Sequence, residues 1–158
     1  MKTVLFVCTG NIFRSMTAEY AFRAQNKEVS VQSASAGIEA NLQVMYPPVK
    51  KRVIELGIDP SAHVQRKLTK EMLDTVDLPV AMGVDHQDFM RAQFGCEVPL
   101  FNTVALGKDE PIKDIWEIVP NWDTDESGRE KYALYVVDTI WHTMPQFMAN
   151  MNGFMKQR

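Results

Sequence analysis

Val4-Leu5-Phe6-Val7-Cys8-Thr9-Gly10-Asn11-Ile12-Phe13-Arg14-Ser15 is the stretch on which the fold turns. Its first four residues are a continuous β-branched and aromatic run, the pattern of a strand buried on both faces of a parallel sheet. Polar Thr9-Gly10-Asn11 breaks the run, and Gly10 and Asn11 both tolerate left-handed backbone. From Arg14 to Lys27 neither Gly nor Pro intervenes, and Ala18, Ala21, Phe22 and Gln25 share one helical face. The order is strand, short loop, helix.

The same alternation continues outward. Val29 to Ala34 reads as a second strand, Pro47 to Leu56 as a helix ended by Gly57, and Thr69 to Leu73 as a short helix. Leu78 to Met82 and Val98 to Phe101 are further strand candidates. Tyr132, Tyr135, Val136, Ile140 and Met144 recur at helical spacing, with Pro145 placed to kink or end that helix. This plan predicts an α/β fold, a parallel sheet with helices on both faces, whose ligands bind beyond the carboxyl ends of the strands. The loop Thr9 to Phe13 lies at such an end.

The 158 residues suit a single domain over 1–158, with no repeat or low-complexity tract. With 17 Lys+Arg against 20 Asp+Glu, the net charge of -3 lacks the basic excess expected of a nucleic-acid or membrane-surface binder. Only Val4 to Cys8 form an apolar run near the start, so neither a signal peptide nor a membrane span fits there. Two cysteines are too few for a disulfide framework or a four-thiolate zinc site, which points to a reducing, cytoplasmic setting.

Between Cys8 and Arg14 stand five residues, and Ser15 follows at the helix start. The backbone N–H groups of a loop feeding a helix N-terminus converge on one point, where the helix dipole adds positive charge, so an oxyanion can be held without a metal. The same field favours thiolate at Cys8, the nucleophilic form. Arg14 can grip two phosphate oxygens in a bidentate fork, which Lys could not match. Ser15 can donate a hydrogen bond to the departing thiolate. Set against this, a lone Cys is usually a small buried hydrophobe. That reading gives Gly10 and Asn11 no reason to share the loop.

The chain resembles the low-molecular-weight protein tyrosine phosphatases in this Cys, five residues, Arg-Ser signature after an N-terminal strand. It does so again at Ser35-Ala36-Gly37, Leu56-Gly57-Ile58-Asp59 with Ser61 and His63, Gln65-Arg66-Lys67-Leu68-Thr69, and Asp77-Leu78 before Ala81-Met82. The resemblance implies a four-stranded parallel sheet, a phosphate loop of Thr9, Gly10, Asn11, Ile12, Phe13 and Ser15, and two-step hydrolysis through phosphocysteine without a metal or other cofactor. It implies that Asn11 shapes the loop by hydrogen bonds and that His63 supports it.

Three positions depart from the family. Phe13 stands where a second Cys could form a protective disulfide. The bulky loop aromatic near Leu42 is missing, leaving Tyr46 or Phe13 to wall the slot. No Asp-Pro pair supplies the general acid in Ile118-Val119-Pro120-Asn121-Trp122-Asp123-Thr124-Asp125. Counting back from Tyr132 puts the acid on Asp123, with Asp125 second, whereas matching the Pro puts Asn121 there. Both acids also read as solvated loop residues or caps of the next helix.

The expected activity is a phosphomonoesterase acting on phosphotyrosine in a protein or on a small phosphate ester, releasing inorganic phosphate, as a monomer or weak dimer. Arsenate reduction on the same scaffold and a non-catalytic oxyanion-binding regulator are the alternatives. Trp116 and Trp122 either wall the site or close the core. The stripe of Trp141, Met144, Phe147, Met148, Met151, Phe154 and Met155 reads as packing against the sheet rather than as a partner-binding face.

Overall fold

The computed structural model describes residues 1–157. Strand β1 (Lys2–Cys8) is its centre. Val4, Phe6 and Cys8 face one apolar cluster with Phe22, Phe101 and Phe147, while Leu5 and Val7 face another with Leu73, Met90 and Leu100. Period-two alternation therefore feeds both faces of the sheet, as the continuous apolar run requires. Phe6 touches the rings of Phe22, Phe101 and Phe147 at centroid distances of 6.3, 6.2 and 5.2 Å. Truncating such a buried ring costs about 3–5 kcal/mol.

β1 pairs in parallel with β2 (Val31–Gly37), in a register that sets Cys8 opposite Gly37, and with β3 (Leu78–Ala81), in the order β2-β1-β3. Three strands form the sheet, not the four implied by the family resemblance. Of the Val98 to Phe101 candidate, a single bridge between Ala81 and Leu100 remains, with Ala81 N–H donating to the Pro99 carbonyl at 2.9 Å. Met82 N–H donates to Val7 on the β1 side, so alternation puts Pro79 on the outer edge with Ala81. Pro79 has no N–H to offer there, and pairing stops. Phe101 instead opens helix α5.

Helices α1 (Arg14–Gln25), α5 (Phe101–Leu106) and α7 (Glu126–Asn150) cover the Phe6 face. Helices α3 (Lys70–Thr75) and α4 (Val84–Phe94) cover the other, and α2 (Pro47–Glu55) packs on α7. A short α6 (Ile115–Ile118) precedes α7. The second strand runs three residues past the expected end at Ala34, and helix α7 continues through Pro145. Pro145 leaves the Trp141 carbonyl without its intrahelical donor. Gln25 Nε2, from the end of α1, supplies one at 3.0 Å. Met144, Phe147, Met151 and Met155 are buried, as the packing reading of the C-terminal stripe expects, whereas Phe154 is exposed.

Candidate active site

Residues 9–13 join β1 to α1, and neighbours settle the direction of the carbonyls from Cys8 to Asn11. The Cys8 carbonyl accepts from Ile38 N–H (2.9 Å), and the Thr9 carbonyl from Glu39 and Ala40 N–H (3.1 Å each). The Gly10 carbonyl accepts from Gln65 Nε2 (2.6 Å) and that of Asn11 from His63 Nε2 (2.6 Å). Carbonyls are thus drawn outward. Among the described residues, none accepts a hydrogen bond from the backbone amides of Gly10 to Arg14. No side chain caps α1 either. Free amides at an uncapped helix N-terminus are the elements of an anion cradle.

Asn11 is the fastener of the loop. It is fully buried in the left-handed region at φ 57°, a conformation Asn tolerates. Its Oδ1 accepts from Arg66 N–H at 2.8 Å, which fixes the amide orientation. Nδ2 then donates to Ser35 Oγ at 2.7 Å and Ser15 Oγ at 3.0 Å. Ser35 in turn donates to Glu19 Oε1 at 2.5 Å, and Glu19 is paired with Arg23. Each hydroxyl therefore accepts on one side and has its proton for the other. Ser15 Oγ lies 2.9 Å from Cys8 Sγ, placed to donate to the sulfur in its thiolate form.

His63 Nε2 faces a carbonyl and must carry the proton, leaving Nδ1 to accept from the Tyr20 hydroxyl at 3.3 Å. Burial, followed by the Glu19 charge, raises the Tyr20 phenol above its usual range. Gly37, opposite Cys8, carries no Cβ because one would stand 2.5 Å from the Thr9 carbonyl oxygen.

Arg14 is 3% exposed. Its Nη1 donates to the Ile112 carbonyl (2.9 Å) and its Nη2 to Asp114 Oδ2 (3.1 Å), so two of its five donors are anchored to the segment before α6. Cys8, Thr9, Gly10, Ile12, Phe13 and Arg14 line one cavity of about 210 Å³, with Glu39, Asn41, Gln43, Val44, Tyr46, Val49, Asp114 and Ile115 around it. Asn11 and Ser15 lie buried behind them. Phe13 and Tyr46 both line the cavity, Tyr46 with the Arg129 guanidinium 5.1 Å above its ring. Leu42 is exposed and does not line the cavity. Trp116 and Trp122 are exposed as well, so they neither wall it nor close the core.

Asp123 does not come to this cavity. It is exposed in the turn 121–124, because α7 begins six residues before Tyr132, and counting back from that ring lands in the turn. Asp125 caps α7, its Oδ1 accepting from Gly128 N–H at 2.9 Å, and Asn121 only closes the turn with its carbonyl. The carboxylates that do line the cavity are Asp114 and Glu39, which the sequence reading missed. Asp114 had a signal: Asp114-Ile115-Trp116-Glu117 has capping-box form, with Asp114 Oδ1 accepting from Ile115 N–H and Glu117 Oε2 from Asp114 N–H. Tyr132 holds the same segment, its hydroxyl donating to the Lys113 carbonyl at 2.7 Å.

Residues 3–152 match the family described as low molecular weight phosphotyrosine protein phosphatase. A protein-arginine-phosphatase from Bacillus subtilis is 33% identical over 94 residues, 58% of this chain and 63% of its own length. The chain thus spans less than two thirds of that relative. An arsenate reductase from Staphylococcus haemolyticus is 36% identical over 118 residues, 73% of this chain and 82% of its own. The fold matches a crystal structure of a YwlE mutant from Bacillus subtilis with TM-score 0.79 at 24% identity, covering 96% of this chain and 99% of that one.

Proposed function

Because the chain belongs to the low molecular weight phosphotyrosine protein phosphatase family, we propose that it hydrolyses phosphate monoesters through a phosphocysteine on Cys8. The observation that carries this reading is the juxtaposition in one cavity of Cys8, with the Ser15 hydroxyl at its sulfur, the free amides of the loop and the anchored Arg14. In the first step the Cys8 thiolate forms the S–P bond as the P–O bond to the leaving group breaks. Arg14 and the loop amides hold the charge on the phosphoryl oxygens. In the second, water attacks phosphorus, the S–P bond breaks to release inorganic phosphate, and Ser15 donates to the returning thiolate.

Protonating the leaving oxygen contributes typically about 10²–10⁴ in rate. Position favours Asp114 over Asp123 as that acid, since Asp114 lines the cavity and Asp123 reaches it only if the 121–124 turn folds over. The apolar walls of Ile12, Phe13, Tyr46 and Val49 suit an aryl phosphate, hence phosphotyrosine in a protein, within a reducing cytoplasm that keeps both cysteines free. Arsenate reduction is less favoured. Cys8 and Cys96 pack into clusters on opposite faces of the sheet, so Cys96 is badly placed to relay oxidation from Cys8.

The test is hydrolysis of para-nitrophenyl and phenyl phosphate by the wild type and by Cys8→Ser, Asp114→Asn and Asp123→Ala. Activity should vanish in Cys8→Ser, and the phenyl ester should suffer far more than the nitrophenyl ester in Asp114→Asn. Equal rates for wild type and Cys8→Ser would leave only the non-catalytic oxyanion binder. A leaving-group-dependent loss in Asp123→Ala alone would return the acid to Asp123.

A further inference from the structure

His86 is fully buried at the third position of α4, beneath the loop that follows Cys8. Its Nδ1 lies 2.9 Å from Gly83 N, a backbone donor, so Nδ1 must accept and the ring proton must sit on Nε2. Gly83 makes this approach possible, since a Cβ there would stand 3.2 Å from Nδ1 and 2.6 Å from Asp85 Oδ1. Nε2 lies 2.9 Å from Thr9 Oγ1, with the exposed Asp85 carboxylate 3.4 Å from the same nitrogen. As donor, Nε2 fills a lone pair of the Thr9 hydroxyl and leaves its proton for another partner. Among the described residues no acceptor takes that proton, and Thr9 lines the cavity with Cys8 and Arg14.

We infer that Thr9 Oγ1 is an additional hydrogen-bond donor to the bound oxyanion, and that His86 is the positioning residue that aims it. The inference rests on the oxyanion-site reading given above and extends it from backbone amides to a side chain. The chain of causes runs from a glycine at the α4 N-terminus, through one imidazole tautomer, to a hydroxyl at the cavity wall. Burial, followed by the Arg14 charge, lowers His86 to about 4, which keeps the ring in the neutral form this relay needs.

The experiment is calorimetric titration of inorganic phosphate into the wild type, Thr9→Val, Thr9→Ser, His86→Phe and the Thr9→Val/His86→Phe pair, each with its melting temperature. A hydrogen bond to a charged group corresponds to about a tenfold change in affinity or more. Thr9→Val should therefore bind phosphate at least about tenfold more weakly, and Thr9→Ser should restore binding. His86→Phe should weaken binding in the wild-type background and add nothing in the Thr9→Val background, whatever it does to melting.

Phosphate affinity unchanged in Thr9→Val would overturn the inference, and so would losses that add in the double variant. Should His86→Phe not fold, the Val and Ser variants still decide the donor role. Phosphate binding that follows this pattern in a protein without esterase activity would sink the hydrolase reading alone.

Discussion

Replacing Asn11 by Ala tests the claim that one side chain holds the loop in shape. The substitution removes three side-chain hydrogen bonds, two donated by Nδ2 to Ser15 and Ser35 and one accepted by Oδ1 from Arg66 N–H. At about 1 kcal/mol each they sum to about 3 kcal/mol. Ala at φ 57° adds about 1 kcal/mol of backbone strain that Asn avoids. The expected loss, about 4 kcal/mol, is a large share of the roughly 5–15 kcal/mol that stabilises a domain. Asn11→Gly removes the same hydrogen bonds without the strain, so it should be about 1 kcal/mol less damaging than Ala. Urea unfolding of the three proteins reads both quantities, provided the denaturant slope is unchanged. A loss below about 1 kcal/mol in Asn11→Ala, or equal losses in Ala and Gly, would refute the reasoning.

Gly37→Ala would drive a Cβ against Thr9 O at 2.5 Å and Asn11 N at 2.9 Å. Overpacking of this kind costs about 1–3 kcal/mol, and because both atoms belong to the loop, phosphate affinity measured by calorimetry should fall with the melting temperature. His86 has a folded value of about 4 against 6.5 unfolded, so the unfolded chain binds the extra proton between them. Its contribution to stability is complete above pH 6.5 and falls by about 3 kcal/mol as the pH drops through about 4. Denaturation curves between pH 4 and 7 should show that slope in the wild type and lack it in His86→Phe. Burial holds the Tyr132 phenol at about 12, so it stays a donor to Lys113 at neutral pH. Tyr132→Phe should loosen the Asp114 segment and lower kcat on phenyl phosphate about fivefold, with phosphate inhibition unchanged.

What the sequence disclosed and what it hid divide along physical lines. The strand, loop and helix of residues 4–25 are local: a doubly buried run, two residues suited to left-handed backbone, then an unbroken helical face. The loop partners His63, Gln65 and Arg66 are not local, and only resemblance to a family pointed toward that region. The fourth strand failed on a missing donor at Pro79, a fact that depends on which edge that residue faces. Distance from Tyr132 points to Asp123, but α7 begins only six residues before that ring, which leaves Asp123 exposed in the preceding turn. Asp114 was legible as a helix cap but not as a cavity carboxylate, because its partner Arg14 lies 100 residues away in the chain.

The hydrogen bond from Gln25 to the Trp141 carbonyl ties the order in which segments come apart. Beyond Pro145 the last turns of α7 have a broken ladder of their own, and the replacement rung belongs to a helix 116 residues earlier. Amides of residues 146–150 should therefore lose protection in native-state hydrogen exchange together with the C-terminal turn of α1, as one cooperative unit. In Gln25→Ala that unit should open about 1 kcal/mol more readily while β1 and the loop after Cys8 keep their protection. The far end of the helical layer can then fray without disturbing the chemistry at the other end of the sheet.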